Sequence, residues 1–139
     1  MQLSVIKNYE LMTDKLNALG SWSYEGIVGI EYDIDIDGMD GLTTTLELTF
    51  FVSLSLIKSN RRFKLKIRYY NVSDLTLRKV TNLYLTDNLI IHDKNEIGWE
   101  SSKRYHVHDD SGYGENDGFN FIDFYCSSIE AVSVEDFYK

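Results

Sequence analysis

The stretch Phe63 to Leu77, FKLKIRYYNVSDLTL, constrains the fold more than any other part of the chain. Phe63, Leu65, Ile67 and Tyr69 alternate with Lys64, Lys66, Arg68 and Tyr70. A period of two places the first set on one face of a strand and the second on the other. Asn71 to Asp74 breaks the alternation with turn-forming residues, and Leu75 and Leu77 resume it opposite Thr76 and Arg78. A strand with one apolar and one polar face belongs to an antiparallel sheet with one side packed and the other wet.

Two earlier segments carry the same signature. Ile27 to Asp37 sets Val28, Ile30, Tyr32, Ile34 and Ile36 against Gly29, Glu31, Asp33, Asp35 and Asp37. Thr44 to Leu56 sets Leu46, Leu48, Phe50, Val52, Leu54 and Leu56 on one face, with Phe51 interrupting the other. The turn signals between them, Asp37-Gly38-Met39-Asp40-Gly41 and Lys58 to Arg62, are short. The three segments therefore read as a sequential antiparallel meander. Before them, Leu3, Ile6, Tyr9, Leu11, Met12, Leu16 and Leu19 roughly follow helical spacing, which predicts a helix over Leu3–Leu19 stopped by Gly20. Ser21 to Glu25 reads as a short connection.

The second half is choppier. Short strands are expected at Leu83–Leu85, Leu89–His92, Arg104–His108, Phe119–Tyr125 and Ile129–Val134, with loops at Lys94–Ser102 and Asp109–Gly118. There is no internal repeat or linker, and 139 residues suit one domain, residues 1–139. The expected class is α+β: an N-terminal helix packed on a large twisted antiparallel sheet, as a partial barrel or sandwich.

Charge narrows the function classes. The net charge of −8 disfavours a protein whose main task is holding nucleic acid. It suits solubility or a basic partner reached by long-range steering. No apolar run is long enough to span a membrane, and residues 1–20 read as carrying no signal peptide. The lone Cys126 rules out an internal disulfide and fits a reducing compartment. It follows an aromatic strand and has no basic neighbour, so it reads as a buried inert thiol.

The charges are blocked. Eight basic residues lie between Lys58 and Lys79, with Asp74 as the one acid among them. Acids dominate from Asp109 onward, and again at Glu31, Asp33, Asp35, Asp37 and Asp40. Basic and acidic strand faces that lie side by side would partly neutralise one another. The Lys64, Lys66, Arg68 face with Tyr70 has the form of a nucleic-acid stripe, which the overall charge argues against.

Two groups could bind a metal. Asp33-x-Asp35-x-Asp37-Gly38 matches the front of a calcium loop, but Thr44 stands where a bidentate Glu is needed and the flanks read as strands. His106-x-His108-Asp109-Asp110, with His92-Asp93 earlier, is half of a zinc site that needs a third ligand from elsewhere. In that alternative His106, His108 and Asp109 are the ligands of a metal-dependent enzyme. No nucleophile motif or phosphate-cradling loop accompanies them, and solvated strand histidines are the plainer reading. Trp22 and Trp99 read as core lids in loops.

Three pieces carry a resemblance: Leu19-Gly20-Ser21-Trp22 followed by Ile27 and Ile30; Leu65 to Leu77, two strands joined through Asn71-Val72-Ser73-Asp74-Leu75; and Phe124-Tyr125-Cys126-Ser127-Ser128-Ile129. In this order they resemble the small immunity proteins of bacterial polymorphic-toxin systems, most nearly the immunity protein 50 family. Where that family carries a His-Asp pair, this chain has Tyr24 and Glu25. The resemblance implies a cytoplasmic, non-enzymatic protein without cofactor, which blocks a toxin domain by binding it. The acidic balance suggests a basic toxin surface, met by Glu31, Asp33, Asp35, Asp37 and Asp40 on the strand, with Asp109 and Asp110 as the second acidic group.

Overall fold

The structure, a computed structural model, describes residues 5–16, 22–37, 41–54, 62–77, 89–94, 104–109 and 122–136. Its three-strand meander follows the alternation in the sequence. Strand β2 (Trp22–Asp37) pairs antiparallel with β3 (Gly41–Leu54), and β3 with β4 (Arg62–Tyr70). Ile67 lies opposite Leu48, and Leu48 opposite Ile30, so the three apolar sets share one face. Ile34, four residues beyond Ile30 in the same unbroken register, is on that face too.

That strand differs from the sequence expectation at its start. Ser23, Tyr24 and Glu25 are strand, with Tyr24 buried opposite Val52. Register shifts between Tyr24 and Gly26 and between Ile27 and Gly29 each insert a residue. The first bulge turns Ile27 into the core, and the second leaves Val28 outside, 53% exposed. Alternation read straight through the segment puts Val28 inside, because a bulge changes the phase without changing the composition. Gly29 marks the second bulge. A Cβ there would stand 3.1 Å from Thr49, so the strands approach closely at this point.

The N-terminal segment also differs. The long helix is replaced by β1 (Ile6–Lys7) and a short α1 (Glu10–Leu16). Asn8, with φ of 60°, separates them. Ile6 pairs with Ile129, which ties this segment to the sheet before the helix can begin. Met12 and Leu16 are fully buried, whereas Tyr9 and Leu11 face solvent. The expected strand Leu83–Leu85, the loop with Trp99 and most of the Asp109–Gly118 loop lie outside the described residues.

Among the described residues the strands form two sheets, and neither closes into a barrel. The first has the order β1-β9-β4-β3-β2, where β9 is Ser128–Asp136 and only the β1–β9 pairing is parallel. The second has the order β5-β8-β7-β6, with β5 Ser73–Leu77, β6 Ile90–Asp93, β7 Tyr105–His108 and β8 Ile122–Cys126. An α+β description remains compatible, with β-structure dominant. Both sheets feed one hydrophobic core. Leu46, Leu48, Phe50, Leu65, Ile67 and Tyr69 from the first sheet join Val107, Ile122 and Phe124 from the second. Tyr69 meets Phe124 edge-on, with ring centroids 4.9 Å apart.

Two neighbouring strands cross between the sheets at the same level. β4 runs into β5 through Asn71, and β8 runs into β9 through Ser127. β4 pairs with β9 in one sheet and β5 with β8 in the other. Asn71 takes the left-handed conformation, with φ of 56°, which Asn tolerates better than most residues. Its backbone N–H donates to the Thr44 carbonyl at 2.8 Å, and Thr44 Oγ1 donates to the Val72 carbonyl at 2.6 Å.

Candidate functional site

Two surfaces gather the residues singled out in the sequence. The first is the β2–β3 hairpin. The β3–β4 ladder ends at the pair Thr45–Tyr70, whereas the β2–β3 ladder runs on to Asp37–Gly41. The β2–β3 ladder therefore extends past β4 as two strands. Among the described residues β2 is also the last strand of its sheet. On the core side of β2 the apolar side chains outrun the core, from Tyr32 opposite Leu46 onward. Tyr32 is 41% exposed, Ile34 55% and Ile36 81%. The other side bears Glu31, Asp33 and Asp35, all exposed. Alternation made both faces legible, but it could not show where the core stops.

Glu31, Asp33 and Asp35 border a shallow polar depression completed by Thr45, Glu47, Arg68 and Tyr70. The basic stripe of β4 is interleaved with acids here. Arg68 Nη2 lies 3.3 Å from Glu47 Oε2, and Tyr70 donates to Glu130 Oε1 at 2.6 Å. Arg68 and Lys64 sit across from Glu130 and Glu135 in the ladder. Glu47, Arg68 and Glu130 thus lie in one row, and the row begins at Glu31. Among the described residues no cation pairs with Glu31, Asp33 or Asp35. They leave a strip of negative charge on a preformed strand. Asp37 closes β2, and Asp40 lies outside the described residues. Trp22 is the first residue of β2, not part of a loop, and packs against Tyr24 with centroids 5.1 Å apart.

The second surface is the solvent side of the smaller sheet. His106 and His108 share a face of β7, and His92 of β6 lies directly across from His106. All three histidines of the chain thus meet in one cluster. One nitrogen from each lies within 4.8 Å of the others. His92 Nε2 and His108 Nε2 are 3.0 Å apart. The Asp123 carboxylate of β8 stands 3.0 Å from His106 Nε2, and the Tyr125 ring stacks on His106 at 4.5 Å. Burial holds the His92 pKa below the ordinary value, and the neighbouring His108 and His106 add to this. The third imidazole beside the His-x-His pair is His92, brought there by strand pairing that spacing alone does not reveal.

Asp109 is 1% exposed, away from any surface a partner could meet, and it is not among the three residues whose ligand atoms converge. Its Oδ1 accepts the Ile122 N–H at 2.9 Å, and its own N–H donates to the Ile122 carbonyl at 3.2 Å. The carboxylate closes the end of the β7–β8 pairing. Asp110 lies outside the described residues. Cys126 is fully buried, and burial pushes its thiol up to about 12, as an inert thiol requires. No helix among the described residues is long and apolar enough to cross a membrane.

Comparison of the chain with protein-family models, with curated proteins and with solved structures finds no match in any of the three.

Proposed function

We propose that this chain is a non-enzymatic, immunity-type binding protein that neutralises a basic bacterial toxin domain by direct contact through the β2–β3 hairpin. One observation carries the reading. The second half of β2 exposes Tyr32, Ile34 and Ile36 on one side and Glu31, Asp33 and Asp35 on the other. Adjacent exposed apolar side chains on a ribbon are a feature of partner surfaces. Unpaired carboxylates beside them favour a basic partner and speed its capture. The strand is ordered before binding, so little entropy is lost when the complex forms. The resemblance to polymorphic-toxin immunity proteins agrees with this use, and with a cytoplasmic location.

The test is to look for a basic toxin domain in the reading frame next to the gene and to titrate it against the full chain by calorimetry. The reading expects a one-to-one complex, with binding lost in the Ile34→Ser, Ile36→Ser double variant while the unfolding midpoint stays unchanged. Equal affinity for the double variant would remove the hairpin from the interface. The alternative, a metal-dependent enzyme, draws on the histidine cluster alone.

A further inference from the structure

We propose that His92, His106 and His108 form a binding site for a divalent transition-metal ion, zinc being the ion their chemistry fits best. Three imidazoles are a recognised zinc ligand set, and they leave a fourth position for water or another donor. Imidazole also suits copper and nickel, but disfavours calcium and magnesium, which take oxygen ligands.

The geometry assigns the nitrogens. His108 Nδ1 lies 2.9 Å from the Asp109 carbonyl oxygen. A carbonyl can only accept, so Nδ1 carries a proton, and the neutral imidazole then keeps its lone pair on Nε2. That lone pair points at His92 Nε2, 3.0 Å away, which must donate in the metal-free protein. A metal ion replaces this one shared proton, and two Nε2 lone pairs then converge on it. Zinc–nitrogen bonds of about 2.0–2.1 Å put tetrahedral ligand nitrogens roughly 3.3 Å apart. The His92–His108 pair is already near that spacing, and a ring nitrogen of His106 lies within 4.8 Å of both.

The surroundings hold the rings in place. The Asp109 carbonyl that orients His108 is itself fixed, because Asp109 is locked to Ile122 through both its backbone and its carboxylate. Tyr125 stacks on His106 with the planes 14° apart. The Asp123 carboxylate behind His106 offsets the charge of a cation, as carboxylates behind metal-bound histidines commonly do. His92 is on β6, and His106 and His108 are on β7, so the ion ties an end strand of the smaller sheet to its neighbour. The site lies on a different sheet from the hairpin and stands independently of the toxin-binding reading.

The experiment uses the full chain without an affinity tag, stripped with chelator and titrated with zinc chloride by calorimetry near neutral pH. One equivalent should bind with sub-micromolar affinity. Asp123→Asn should weaken binding by about 10–100-fold, and His92→Gln or His108→Gln by at least as much. X-ray absorption of the zinc-loaded wild type gives the ligand count without any variant, and three imidazoles are expected. Absence of saturable binding, or a spectrum with at most one imidazole, overturns the site. So does unchanged affinity in His92→Gln.

Discussion

Asn71 Nδ2 donates to Ser127 Oγ at 2.8 Å, at the level where β4 and β8 both leave their sheets. The Ser127 backbone N–H and hydroxyl both reach the Tyr70 carbonyl, at 2.9 and 3.2 Å. Two adjacent crossings are thereby locked to each other, and the two sheets to one core.

This corner yields a graded prediction. Asn71→Ala loses the side-chain bond and must hold a left-handed backbone with a Cβ, so it should cost about 2–3 kcal/mol. Asn71→Gly loses only the bond and should cost about 1 kcal/mol. Urea denaturation of the two variants checks the order. Equal losses would mean that the backbone conformation contributes nothing.

The bulges in β2 make a second. Ile27 is buried and Val28 is exposed. Ile27→Ala should cost about 2–5 kcal/mol, and Val28→Ala no more than about 0.5 kcal/mol. Ile67→Ala and Lys66→Ala on β4 should show the same contrast, since Ile67 is fully buried and Lys66 faces outward. Reversal within the first pair would restore the unbulged register.

The alkaline limb of stability is the third. Burial raises the Cys126 thiol to about 12, and raises Tyr24 and Tyr69 as well. Above the ordinary thiol value of about 8.5, the unfolded chain releases a proton that the folded chain keeps. The folded state then binds more protons, so stability falls as pH rises through this window. The urea midpoint should drop between roughly pH 8 and pH 10, and should drop less in Cys126→Ala. In the native wild type at the lower pH, thiol reagents should react only as fast as the protein opens.

How far the sequence disclosed this arrangement depends on how local each signal is. The period-two pattern of Phe63–Tyr70 is local, and β4 follows it residue by residue, with Phe63, Leu65, Ile67 and Tyr69 all buried. The phase slip at Ile27 and Val28 comes from the fit of β2 against β3, which composition does not encode. Ile6 satisfies a helical pattern and a strand pairing equally well, and its contact with Ile129, far along the chain, decides between them. The site divides in the same way. Glu31, Asp33 and Asp35 were legible as one strand face, and His106 with His108 as another. His92 could join them only through the pairing of β6 with β7, and Asp109 looked like a surface acid until the Ile122 backbone was placed against it.

On the proposed function, the acidic face of β2 guides a basic toxin domain onto the hairpin. Association kinetics test this most directly, with wild type and the Asp33→Asn, Asp35→Asn double variant measured against a basic toxin domain found in the neighbouring reading frame, at low and high salt. Both side chains are exposed, so the amides should leave the fold intact. The account predicts slower association at low salt and a flatter salt dependence for the variant. Identical rates for the two proteins at both salt concentrations would contradict it.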